Sequence, residues 1–198
     1  KKKKKKKKAE GWALTMTKVY GQFAVLDLMV AALSACQSID TARIKQMQKT
    51  VSSQSDAQIF CSGTEQCEFE RLGKIPIVDA QSRRVSDVAI KQKIVRLHSR
   101  SLNDANPLSL SVPAGQHELV IRFYPISKDR AETLHVIHKF NAQKNYTFKM
   151  YRDRSKQKGS LLTVSAPDPL CVDLQQEQKT IRRFCKPYNV LNGLGEFV

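Results

Sequence analysis

Ser109-Leu-Ser-Val-Pro-Ala-Gly-Gln-His-Glu-Leu-Val-Ile-Arg-Phe-Tyr124 is the stretch that decides the fold class. Two runs rich in β-branched and aromatic residues flank Pro-Ala-Gly, so the segment predicts two strands joined as a hairpin. The same period of two recurs outward along the chain. Thr133-Leu-His-Val-Ile-His-Lys-Phe140 and Asn145-Tyr-Thr-Phe-Lys-Met-Tyr151 flank the turn Asn141-Ala-Gln-Lys, and Tyr146, Phe148 and Met150 alternate with polar neighbours. Cys67-Glu-Phe-Glu-Arg-Leu, Ile75-Pro-Ile-Val78 and Leu161-Leu-Thr-Val-Ser-Ala166 add further strands. Ser82 to Leu97 reads two ways. Its start suits a helical turn with Val85, Val88 and Ala89 on one side, and its end, Lys93–Leu97, suits a strand. Six to nine short strands separated by turns predict a mainly β chain, a single antiparallel β-sandwich or open barrel over residues 58–198.

Composition sets the outer limits. The chain has 198 residues, of which 41% are hydrophobic and 7% aromatic, enough to fill one core. The formal net charge is +16. Lys1–Lys8 and Lys18 supply nine of the 34 basic residues and Glu10 and Asp27 two of the 18 acids, so the chain from Gln37 onward carries +9.

The N-terminal quarter has a different grammar. Residues 1–15 read as an extension or tag outside the fold, and residues 16–35 as a signal peptide. Lys18 precedes the apolar run Phe23-Ala-Val-Leu-Asp-Leu-Met-Val-Ala-Ala-Leu-Ser-Ala35, which is too short for the ~20 residues of a spanning helix. Asp27 within it would cost about 2.5–3.5 kcal/mol at a membrane centre, which weakens insertion without abolishing it. The run ends in Leu33-Ser34-Ala35-Cys36, which resembles the lipobox of bacterial lipoproteins. The resemblance implies that the thiol of Cys36 carries a diacylglycerol, that the chain is cut before it, and that the new amino group is acylated. With Gln37 rather than Asp next, it implies the inner leaflet of a Gram-negative outer membrane, facing the periplasm. A buried helix that happens to end in cysteine is the plainer alternative.

Residues 36–57 are Ser- and Gln-rich, with Ile44, Met47 and Val51 at helical spacing after Asp40 and Thr41. A short helix there serves equally as part of a tether or as an element packed on the domain.

Without Cys36, four cysteines remain: Cys61, Cys67, Cys171 and Cys185. Behind an export signal they read as disulfides. Of the three connectivities, the local one, Cys61–Cys67 and Cys171–Cys185, is favoured. Fourteen helical residues would separate Cys171 and Cys185 by about 21 Å, whereas a disulfide needs Cα atoms within about 4.4–6.8 Å. If Cys171 and Cys185 pair, the segment between them must fold back as a hairpin, with a turn near Gln176–Gln178 and Asp173 facing Arg183. CxxC spacings that would favour zinc are absent.

Val112-Pro-Ala-Gly-Gln-His-Glu-Leu-Val-Ile-Arg-Phe123, followed by Asn145-Tyr-Thr-Phe, resembles the small PEGA-like β-sandwich modules of envelope lipoproteins over about 45 residues. That resemblance implies fold class and location and transfers no catalytic residues.

No GxSxG, HExxH, Walker or dinucleotide motif is present. His135 and His138 lie three apart on a predicted strand and so point to opposite faces, which argues against a shared metal. No cofactor is expected, and nucleic acid is disfavoured by export. The remaining candidates are basic: Arg83 and Arg84; Arg96 and Arg100, which share a parity with His98 so that a strand there would place all three on one face; Arg182 and Arg183; and a run of Arg152, Arg154, Lys156 and Lys158. They suit either a solvated surface or an anionic partner such as a charged envelope polymer or an acidic protein. The sequence therefore points to a non-enzymatic accessory, assembly or binding subunit for another envelope component. An inhibitor or immunity-type lipoprotein that blocks a toxic hydrolase is the alternative. An enzyme would need a concave pocket holding a nucleophile and base within reach of each other.

Overall fold

In the computed structural model the described residues are 39–49, 55–154, 168–186 and 196–197. The expected extension, signal segment and Cys36, the strand Leu161–Ala166 and the cations Lys156 and Lys158 lie outside them. Two units divide the chain, Lys1–Asp40 and Thr41–Val198, and the second holds both sheets.

Among the described residues ten strands form two sheets. They are β1 (Ala57–Ser62), β2 (Cys67–Leu72), β3 (Ile75–Pro76), β4 (Val95–Leu97), β5 (Leu108–Val112), β6 (Gly115–Ser127), β7 (Arg130–Phe140), β8 (Asn145–Arg152), β9 (Leu170–Gln176) and β10 (Lys179–Lys186). One sheet has the order β10-β9-β8-β1-β5-β4 and the other β3-β2-β6-β7. The helices are α1 (residues 39–49) and α2 (Asp87–Lys91). Among the described residues no helix is long and apolar enough to cross a membrane.

Alternation builds the core. Ala57, Ile59 and Cys61 of β1, Tyr146, Phe148 and Met150 of β8, and Phe69 of β2 are buried at every second position. Leu119, Ile121 and Phe123 of β6 join them, with Leu134, Val136 and Phe140 of β7. Phe140 and Tyr146 meet edge to face at 4.9 Å, a geometry aromatic quadrupoles favour. Ile44 of α1 is buried in the same core, so residues 41–49 pack on the sandwich.

Two features differ from the sequence expectation. Val112-Pro-Ala-Gly115 is not a hairpin turn: β5 pairs with β1 and β4, and β6 with β2 and β7, so the corner carries the chain from one sheet to the other. Gly115, at φ 145°, supplies backbone freedom there that a side chain would restrict. One pair also departs from the antiparallel rule, since β1 and β8 run parallel, Gln58 opposite Asn145. The ambiguous Ser82–Leu97 segment is both things in turn, α2 and then β4, with Ser86 capping α2 by accepting the N–H of Val88.

Both expected disulfides are present. Cys61–Cys67 closes the β1–β2 turn, and Cys171–Cys185 joins directly opposed residues of β9 and β10 with Cα atoms 4.1 Å apart. The turn between them is Glu177-Gln178, both at positive φ, as a two-residue type I′ loop requires. In the first loop Gly63 lies against β8 so closely that a Cβ would sit 1.9 Å from the carbonyl oxygen of Met150.

Candidate functional site

The cations singled out from the sequence do not form one patch. Arg182 and Arg183 lie on β10 and Arg96 on β4, at opposite edges of the six-stranded sheet. Five interstrand spacings put those edges about 24 Å apart. Arg83 and Arg84 belong to the strap between β3 and α2, and Arg100 to the loop after β4. β4 ends at Leu97, so His98 and Arg100 leave the strand and the shared-parity face does not extend beyond Arg96.

Most of these groups hold the sandwich together. Asp173, nearly buried on β9, accepts Arg183 Nε at 2.7 Å and Nη2 at 3.1 Å, and also the hydroxyls of Thr180 and Tyr151. Arg183 thereby depresses the Asp173 pKa, and the phenol of Tyr151 is pushed up, first by burial and then by the charge of Asp173. Arg182 crosses to the other sheet, donating to the Ile137 carbonyl at 3.0 Å and lying 4.7 Å from the Phe184 ring centre. Lys186 reaches Glu132 of β7 at 2.6 Å.

On the outer face of the four-stranded sheet the buried side chain of Arg122 donates to Glu68 at 3.2 Å and to the Val78 carbonyl at 3.1 Å. Arg83 pairs with the same Glu68, donates to the Lys128 carbonyl at 2.8 Å, and covers the Tyr124 ring at 4.3 Å. The Tyr124 hydroxyl also donates to Glu68, and burial followed by that negative charge raises its pKa. Arg83 is thus a clamp for the strap. Arg84 stands exposed beside it.

The histidines separate as expected. His135 faces solvent, whereas His138 packs edge to face on Phe140 and Tyr146. Burial, reinforced by Arg182, holds the His138 pKa below its ordinary value, and burial alone does so for His98 beside Phe60. Among the described residues no group of three His, Cys, Asp or Glu side chains is placed to hold a metal.

A concave site with an apolar lining lies elsewhere. A cleft of about 490 Å³ opens where α1 and α2 bridge the β3 and β4 edges. Leu72, Ile75, Ile94, Val95, Met47 and Pro113 make its apolar lining. Among its polar groups, Ser111 is 3% exposed and its hydroxyl donates to Asp56 at 2.8 Å while accepting Gln58 Nε2 at 3.0 Å. The hydroxyl is thus held between a carboxylate and an amide at the cleft. His117 also lines the cleft, with Nε2 2.9 Å from the Pro113 carbonyl.

No family model, curated protein or solved structure matches this chain. What the cleft can do is therefore read from its own chemistry.

The cations Lys93 and Arg96 border the same cleft. Lys93 is the residue that sequence reasoning passed over. Its N–H bonds the Ile90 carbonyl at 3.0 Å, and Ile94 N–H bonds that of Ala89 at 3.1 Å. That is the Schellman pattern, with Lys93 in the left-handed position (φ 59°) where glycine is usual. For a non-glycine residue that conformation costs about 1–2 kcal/mol. The Lys93 ammonium makes no hydrogen bond or ion pair with any described residue. The signal was in principle readable: Ser86-Asp87 starts a helix, and a strand by Val95 leaves Lys93 at the helix stop. Asp56, Ser111 and His117 carried no such signal, because the cleft brings together segments up to 70 residues apart, Met47 to His117.

Proposed function

We propose that this chain is a non-enzymatic lipoprotein of the bacterial outer membrane, anchored in the inner leaflet through Cys36, whose sandwich is a binding or assembly subunit for another envelope component. The observation that carries the reading is the pair of disulfides within the domain, which belong to an oxidising compartment. The Leu33-Ser-Ala-Cys36 lipobox resemblance upstream supplies the route there and the anchor. The cleft between α1, α2 and β4 is the binding site in this reading. The clamped arginines of β10 and the strap serve the fold, with Arg84 and Arg100 left at the surface.

Expression of wild-type and Cys36→Ser chains in a Gram-negative host tests it. The wild type should lose residues 1–35 and fractionate with outer membranes, while Cys36→Ser should keep them. Equal size and equal fractionation of the two would overturn the anchor. Co-purification in mild detergent should then return an envelope component, and a single tight soluble hydrolase would instead mark an inhibitor.

A further inference from the structure

We infer that the cleft at the β3–β4 side of the sandwich takes a single-chain amphiphilic anion, an alkyl chain with a carboxylate or phosphate head. The inference rests on reading the cleft as the binding site, and not on the anchor. Three observations meet there. The cleft volume, about 490 Å³, lies in the range of small-ligand pockets. Its lining from Met47, Leu72, Ile75, Ile94 and Val95 offers an alkyl chain surface to leave water. Its one carboxylate, Asp56, accepts the Ser111 hydroxyl, whereas the Lys93 ammonium at its border meets no described partner. A neutral apolar ligand would leave that ammonium unmatched, and a polar polymer would leave the apolar lining wet.

Lys93 gives the argument its direction. A glycine would fit the left-handed stop of α2 without strain, yet the position carries an ammonium that reaches no described partner. An ammonium that meets no described partner, at the border of an apolar cavity, is placed for an incoming charge.

The test uses the full chain carrying Cys36→Ser, so that no acyl group of its own competes. It is dialysed to equilibrium against radiolabelled myristate, lysophosphatidylglycerol or tetradecanol. One of the two anions should bind at least about tenfold more tightly than the alcohol, and the tighter one assigns the head group as carboxylate or phosphate. Lys93→Glu should weaken that anion by about tenfold or more. Lys93→Gly should weaken it similarly while leaving the melting temperature unchanged or raised. Lys91→Glu, exposed two residues away and outside this cleft, should leave binding unaltered. No anion binding at 0.5 mM, an alcohol bound as well as the anions, or full affinity in Lys93→Glu would each overturn the inference. None of these results touches the processing at Cys36, so the two readings fail separately.

Discussion

At the β10 edge of the six-stranded sheet, Arg183 is held by Asp173, Lys186 by Glu132, and Arg182 by the carbonyl of Ile137, with a disulfide beneath them. At the β4 edge, the Lys93 ammonium borders an apolar cleft and meets no described partner, and the strand itself is three residues long. Both edges are basic in sequence. The difference teaches that positive charge alone does not identify a binding surface here. At β10 the cations blunt and cross-link an edge strand, a device that prevents pairing with other chains. At β4 the edge is spanned by two helices, and the cation there is placed at a backbone cost.

The comparison breaks if the sealed side proves tolerant. Gly63 lies against β8, and Gly63→Ala would drive a Cβ into the Met150 carbonyl at positive φ. Loss of more than about 4 kcal/mol, or no folding, is expected in urea unfolding. A variant within 1 kcal/mol of wild type would refute the packing described for this loop. Next comes the disulfide. The double variant Cys171→Ala/Cys185→Ala should lose about 3 kcal/mol, the loop-closure entropy for a loop of that length.

Asp173→Asn should cost about 1–2 kcal/mol by denaturant unfolding, since it leaves the buried acceptor of Arg183, Thr180 and Tyr151 uncharged. Its pH dependence sharpens the point. Because the folded pKa of Asp173 is depressed, its contribution is fully present above the ordinary carboxylate range and is lost as pH falls through the lower folded value. Wild type should therefore lose more stability than Asp173→Asn between pH 5 and pH 2. Parallel curves would mean the ion pair contributes nothing to the native state.

The smallest effect should have the opposite sign. Lys93→Gly relieves about 1–2 kcal/mol of left-handed strain and adds about 0.4–1 kcal/mol of unfolded-state entropy. A net gain of about 0.5–1 kcal/mol in chemical denaturation is the expectation. A loss larger than that would mean the lysine serves the fold, and the contrast between the edges would disappear.

The sealed edge was the legible one. Two cysteines fourteen residues apart cannot bond along a helix, so covalent geometry forces the β9–β10 hairpin, its turn and the facing of Asp173 and Arg183. Periodicity of two likewise marked most described strands. It did not say which sheet a strand joins, and so Pro113-Ala-Gly115 read as a hairpin although it is a corner between sheets. The parallel β1–β8 pair was hidden for the same reason, because strand pairing at long range leaves no local trace. The open edge was least legible, since its cleft is assembled from α1, the β2–β3 turn, the α2 stop and the β5–β6 corner.

The central claim is an anchored, disulfide-held domain that works in the periplasm, and the intact mass of the protein from bacterial membranes, before and after reduction, addresses it most directly. The account predicts the mass of Cys36–Val198 plus three acyl chains, rising by four hydrogens as the two disulfides open. An unprocessed chain whose mass does not change on reduction would contradict it, and with it both the location and the envelope role.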